Sequence, residues 1–116
     1  MRIMPRESIL YKPVINLFST MGFDVYGREI KIPMSRKRVD LVFFKVGEEE
    51  KKVAVELKVK KWEEALYQAY INSFFFSKAY VALWHRNIKR ADKEIFKYYN
   101  IGLIEVNRKE AKIIHD

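Results

Sequence analysis

The chain has 116 residues, 49% of them hydrophobic and 33% charged, with 23 lysines and arginines against 15 aspartates and glutamates. That length suits one domain, residues 1–116, with its own core, and the composition excludes an intrinsically disordered chain. The lack of cysteine excludes disulfides, thiolate metal sites and a cysteine nucleophile, while the net charge of +8 favours an anionic partner, nucleic acid foremost.

No long apolar stretch follows Met1-Arg2-Ile3-Met4-Pro5, and no apolar run is long enough to span a bilayer. The expectation is a cytoplasmic protein without a signal peptide and without membrane contact. Abundant lysine and glutamate beside a single glutamine point to a thermophilic source.

The first predicted element is a helix from about Arg6 to Thr20, with Ile9, Leu10, Val14, Leu17, Phe18 and Met21 at helical spacing. Pro13 is expected to kink it and Gly22 to stop it. Phe23 to Pro33 reads as a strand. Arg38 to Val46 and Lys51 to Lys60 read as two more, joined by a short polar turn containing Gly47, which predicts an antiparallel hairpin. Trp62 to about Phe76 reads as a helix with Glu63 and Glu64 in its first turn. Lys78 to Trp84 is a continuous apolar run, as in a buried central strand. A helix over Lys89 to Tyr99 and closing strands over Ile101 to Val106 and Ala111 to Ile114 complete the order α-β-β-β-α-β-α-β with one more short strand.

Two of these strands carry acids where apolar residues belong. Asp40 is enclosed by Val39, Leu41, Val42, Phe43 and Phe44, against both β-propensity and burial. In the next strand Val53, Val55, Leu57 and Val59 form one face by alternation, and Ala54, Glu56, Lys58 and Lys60 the other. A helix-covered sheet would bury Ala54 and Glu56, whereas a sheet covered on one side only would expose all four. Buried charge is costly without a partner. A divalent metal site acting on phosphodiesters is one reason to accept that cost; a solvated surface strand is the ordinary alternative.

With these residues in this order, the chain resembles the PD-(D/E)xK nuclease superfamily. The resemblance covers about Arg6 to Trp84. It implies the restriction-endonuclease-like α/β fold, an αβββαβ core with a mixed central sheet flanked by helices. The family's acid on the second core strand matches Asp40, and its (D/E)xK tripeptide matches Glu56-Leu57-Lys58. The glutamate that many members carry on the first helix matches Glu7, and the glutamine that several carry after the tripeptide matches Gln68. Val39 stands where the family name has proline.

The resemblance implies catalysis by Asp40, Glu56, Lys58, Glu7 and Gln68. It implies Mg²⁺ or Mn²⁺ held by Asp40, Glu56, the Leu57 carbonyl and Glu7, a hard oxygen donor set of the kind such ions take. Lys58 is expected to orient the attacking water or stabilise the phosphate rather than act as a base, since neighbouring carboxylates oppose the lowered pKa a base needs. Gln68 lies in a strip of small and polar residues, Ala65, Gln68, Ala69 and Asn72, that could approach the third strand and Lys58 closely.

Basic clusters at Arg36-Lys37-Arg38, at Lys60-Lys61, and at Arg86 with Lys89 and Arg90 are candidates for phosphate contacts. Exposed aromatics among Tyr67, Tyr70, Phe74, Phe75 and Phe76 could stack bases or build a dimer interface. The function expected is a Mg²⁺-dependent endonuclease acting on DNA, resembling compact archaeal Holliday-junction resolvases and small restriction or repair endonucleases. A homodimer is expected because symmetric cutting of two strands needs two sites. One alternative is an inactive nuclease-fold module that binds or scaffolds nucleic acid. The other is a small RNA-binding protein or metal-independent ribonuclease, for which His85 and His115 offer no evident acid–base arrangement.

Overall fold

The computed structural model describes residues 4–33 and 35–116. The expectation of no leader, which rests on Met1 to Pro5, falls partly on residues outside that range. One six-stranded sheet runs through the molecule in the order β1-β2-β3-β4-β5-β6. Its strands are β1 (Phe23–Lys31), β2 (Arg38–Lys45), β3 (Glu48–Lys58), β4 (Lys78–Trp84), β5 (Gly102–Val106) and β6 (Ala111–His115). The first three form an antiparallel meander, β3, β4 and β5 are parallel neighbours, and β6 returns antiparallel to β5. Among the described residues no helix is long and apolar enough to cross a membrane.

The opening helical segment is divided. A 3-10 turn, Glu7–Leu10, leads into α1 (Tyr11–Thr20). Pro13 is the third residue of α1, inside the first turn, where its missing N–H leaves no helical bond unmade. The proline therefore delays the α-helix rather than kinking it. Gly22 ends the helix at φ +86°, a conformation that suits a residue without Cβ.

Leu10 of the 3-10 turn, with Val14 and Phe18 on one face of α1, is buried against Leu41, Phe43, Val55 and Leu57 of the sheet. Phe18 stacks on Phe43 at 4.3 Å and meets Tyr80 edge-on at 5.4 Å. Each such side chain contributes about 1.5–3 kcal/mol when fully buried, so this layer fixes α1 firmly over β2 and β3.

The opposite face is covered by the two crossover connections. α2 (Trp62–Asn72) joins β3 to β4, and α3 (Lys93–Tyr98), capped by Asp92 accepting from the Glu94 N–H, joins β4 to β5. Ala65, Leu66, Ala69 and Phe96 pack with Ala79, Val81, Leu83 and Leu103. Like-handed crossovers between successive parallel strands place both helices on one side of the sheet.

Several boundaries depart from expectation. α2 stops at Asn72, four residues before Phe76, because the chain tightens into turns: Ser73 donates its hydroxyl to the Tyr70 carbonyl, and Phe74 N–H bonds the Ile71 carbonyl. The segment before α3 is a separate 3-10 stretch, His85–Arg90. β3 begins at Glu48, earlier than expected, because the hairpin pairs down to Lys45↔Glu48 across a register shift, with Gly47 at φ +89° in the turn.

Candidate active site

The parallel strands β3, β4 and β5 finish at one edge of the sheet, and β2 begins there. In open α/β sheets ligands bind outside the carboxyl ends of the strands. A cavity of about 240 Å³ opens at this edge, lined by Asp40 of β2, by Glu56, Leu57 and Lys58 of β3, by Glu7 from the first turn, and by Gln68 of α2. Lys37 and Arg38 stand on its rim, and Glu64 and Ala65 of α2 close the far wall.

Sheet register brings the acids together. Leu41 pairs with Val55, so one step towards the edge Asp40 lies opposite Glu56. Asp40 is held in place by its Oδ2, which accepts the Leu57 N–H at 2.8 Å. That bond satisfies a backbone donor at the strand end. Glu56 is only 8% exposed, unusually buried for a glutamate. Its Oε1 accepts from Nδ2 of Asn72 at 3.0 Å. Asn72 in turn accepts on Oδ1 from Nε2 of Gln68, also at 3.0 Å. The three side chains form a chain of hydrogen bonds running from α2 into the sheet.

The electrostatics follow from this crowding. Burial first, and then the facing Asp40 carboxyl, push the Glu56 carboxyl well above the usual carboxylate range; the Asn72 donor opposes the shift. Two carboxyls this close retain a proton or take a cation between them. Glu7 is also raised, mainly by burial and secondarily by Asp40, with Lys58 acting in the opposite sense. Lys58 lies 3.8 Å from Glu7 and 3.5 Å from Glu64. Glu64 is held below the ordinary range by Lys58 and Lys61.

The hard oxygen donors, the Asp40 and Glu56 carboxyl groups beside the Leu57 backbone, are of the kind that Mg²⁺ or Mn²⁺ takes. Among the described residues, no group of three or more His, Cys, Asp or Glu side chains is gathered around one point. Glu7 accordingly stands apart from the Asp40–Glu56 pair and against Lys58. Gln68 reaches Asn72 rather than Lys58. Of the basic candidates, Lys37 and Arg38 border the cavity, Lys60 and Lys61 line an adjoining one with Glu7 and Lys58, Arg36 lies in a separate groove beside Ile32 and Pro33, and Arg86 lies at the end of β4.

Glu64 and Asn72 are site residues that sequence reasoning did not assign. The signal was present: Glu64, Gln68 and Asn72 recur every four residues and form one polar stripe on α2. Ala65 and Ala69 beside that stripe are small enough to bring α2 close to β3.

No family model matches this sequence, and no curated protein matches it. Among solved structures, a protein of unknown function from Silicibacter pomeroyi is similar, with a TM-score of 0.69 and 18% identity over 99% of this chain and 73% of that one. At that identity the likeness speaks for the fold alone.

Proposed function

We propose that this protein is a metal-dependent nuclease of the PD-(D/E)xK type that hydrolyses phosphodiester bonds in DNA. The observation that carries this reading is the meeting of Asp40, Glu56 and Lys58 in one cavity, with Asp40 tied to the Leu57 backbone. The element order supports it too: a helix, an antiparallel three-stranded meander, and a crossover helix to a parallel fourth strand.

In this reading Asp40, Glu56 and the Leu57 carbonyl hold Mg²⁺ or Mn²⁺. Such an ion, when bound, supplies charge stabilisation to the phosphate and makes water a better nucleophile. Asn72 holds the Glu56 carboxylate in place from the helix. Lys58 offers positive charge at the cavity for the phosphate that becomes more negative in the transition state, and its ammonium orients the attacking water. Lys37 and Arg38 neutralise phosphates on the rim without reading sequence.

A second reading rests on a different observation. Lys58 is engaged by two carboxylates, Glu7 and Glu64, as in a stable surface network. A protein that kept this network would bind nucleic acid without cutting it.

The experiment is cleavage of labelled single-stranded, duplex, flapped and four-way-junction DNA, and of RNA, with Mg²⁺ or Mn²⁺, with EDTA, and with Asp40→Ala protein. Metal-dependent cutting that disappears in the variant supports the nuclease. Binding without cutting on every substrate supports the second reading, and cutting in EDTA rejects both.

A further inference from the structure

The same sheet edge carries a second pocket, two strands away from Lys58. Its volume is about 360 Å³, and it is lined by Trp84, His85 and Arg86 at the end of β4 and by Asn107, Arg108 and Lys109 in the turn between β5 and β6. Among the described residues, three cations and no carboxylate line it. Unlike Lys58 and Lys61, none of the three is ion-paired among the described residues.

Both walls are fixed. Asn107 Oδ1 accepts the backbone N–H groups of Lys109 and Glu110, each at 2.8 Å, and the Asn107 N–H bonds the Glu110 carbonyl at 2.9 Å. This holds the turn that presents Arg108 and Lys109. On the other wall, the buried Asn87 donates from Nδ2 to the Val59 carbonyl, tying the segment that carries Arg86 to the residue after Lys58. The Arg108 guanidinium lies 6.0 Å over the Trp84 ring. Trp84 also keeps its Nε1 donor buried without an acceptor. Three cationic side chains thus line one small pocket between two held walls.

We propose that this pocket binds a backbone phosphate of the nucleic-acid strand that occupies the acidic cavity, several nucleotides from the bond that is cut. The inference rests on the nuclease reading and names how its substrate is held. The register sets the geometry: Lys58 pairs with Leu83, and Trp84 with Val106. Strands lie about 4.8 Å apart, so β3 and β5 are separated laterally by roughly 10 Å, or about three phosphate steps at 3.4 Å of rise per strand; because Trp84 belongs to the α1-side layer and Lys58 is on the other face, the nucleic-acid strand would cross the end of the sheet between them.

The test is equilibrium binding of fluorescein-labelled DNA duplex by anisotropy in EDTA, across a salt series. The parent is Asp40→Asn, which retains an oxygen for the Leu57 N–H and is expected not to cut. Into it go Arg86→Ala, Arg108→Ala and Lys109→Ala together. A control carries Lys51→Ala, Lys78→Ala and Lys97→Ala, which remove the same charge at the opposite end of the sheet, and thermal melting checks that both are folded. The slope of log K against log salt is expected to become shallower by about 2–3 in the first triple variant and to change little in the control. An unchanged slope in the first variant, or an equal change in the control, overturns the pocket while leaving the nuclease reading intact. A parent that binds no nucleic acid overturns both.

Discussion

Asn72, fully buried on α2, donates a 3.0 Å hydrogen bond to Glu56, fixing a sheet carboxylate from a helix. The bond fixes the orientation of the Glu56 carboxyl and links the spacing between α2 and β3 to the geometry of the cavity. Asn72→Leu leaves both Glu56 Oε1 and Gln68 Nε2 without partners. The expected cost is about 1–3 kcal/mol of stability in urea unfolding. Mn²⁺ affinity by calorimetry is expected to fall about 10–100-fold, as for other supports of metal ligands. Unaltered Mn²⁺ affinity would show that Asn72 serves the core only.

The raised Glu56 carboxyl predicts an unusual response to pH. In the unfolded chain the group titrates near its ordinary value of 4.5, but in the folded protein it holds its proton above that. The folded state then binds more protons, so this group's contribution to stability is present below 4.5 and is lost as pH rises through the raised value. Thermal melts in EDTA are expected to show stability declining with pH from this source, and Mg²⁺ is expected to oppose the decline. Glu56→Gln should flatten the dependence and raise the melting temperature at the alkaline end. A wild-type profile identical to that of Glu56→Gln would contradict the assignment.

If the protein is the nuclease proposed above, Lys58 is expected to separate binding from turnover. Lys58→Ala is expected to leave DNA affinity within a few-fold of wild type while lowering cleavage by at least about 100-fold, the scale for losing one transition-state donor. The pairs with Glu7 and Glu64 are half-exposed at 3.5–3.8 Å. A double-mutant cycle between Lys58 and Glu64 should therefore give a stability coupling below about 1 kcal/mol. A larger coupling would favour the structural network over the catalytic role.

Away from the site, Gly102 lies against the ring of Tyr80, and a Cβ there would run into Cδ2 and Cε2. Tyr80 cannot easily yield, because it is buried and its hydroxyl bonds Asp116. Gly102→Ala is expected to cost about 1–3 kcal/mol in denaturant unfolding through this overpacking. Wild-type stability in that variant would mean that β4 and β5 can shift apart locally.

The acidic pair was legible in the sequence because strand geometry leaves little freedom. Alternation fixes the face of Glu56 and Lys58, and a short turn with Gly47 makes β2 and β3 neighbours, so Asp40 and Glu56 meet once the register is set. Burial of Ala54 and Glu56 likewise follows from a sheet covered on both faces. The helical contributors were harder to read. The face that α2 turns to the sheet depends on packing of Ala65 and Ala69, which periodicity does not settle, so Gln68 was directed to Lys58 while its partner is Asn72. The helix dipole is by itself a sufficient reason for Glu64 in the first turn of α2, which hides its pairing with Lys58. The 3-10 stretch His85–Arg90 was also obscure, because its anchor, Asn87 on the Val59 carbonyl, joins residues 28 apart in sequence.

β3 is paired along both edges, with β2 on one side and β4 on the other. A one-residue slide would turn Glu56 and Lys58 to the α1 face and the Leu57 side chain to the α2 face, and two ladders oppose it. The amides of Val53 to Val55, flanked by both ladders and leading directly into Glu56, should consequently be among the last to exchange with deuterium, opening only when the whole molecule unfolds. The acidic centre thus belongs to the most durable part of the fold, while the basic groups around it sit on turns and ends where local opening is cheapest.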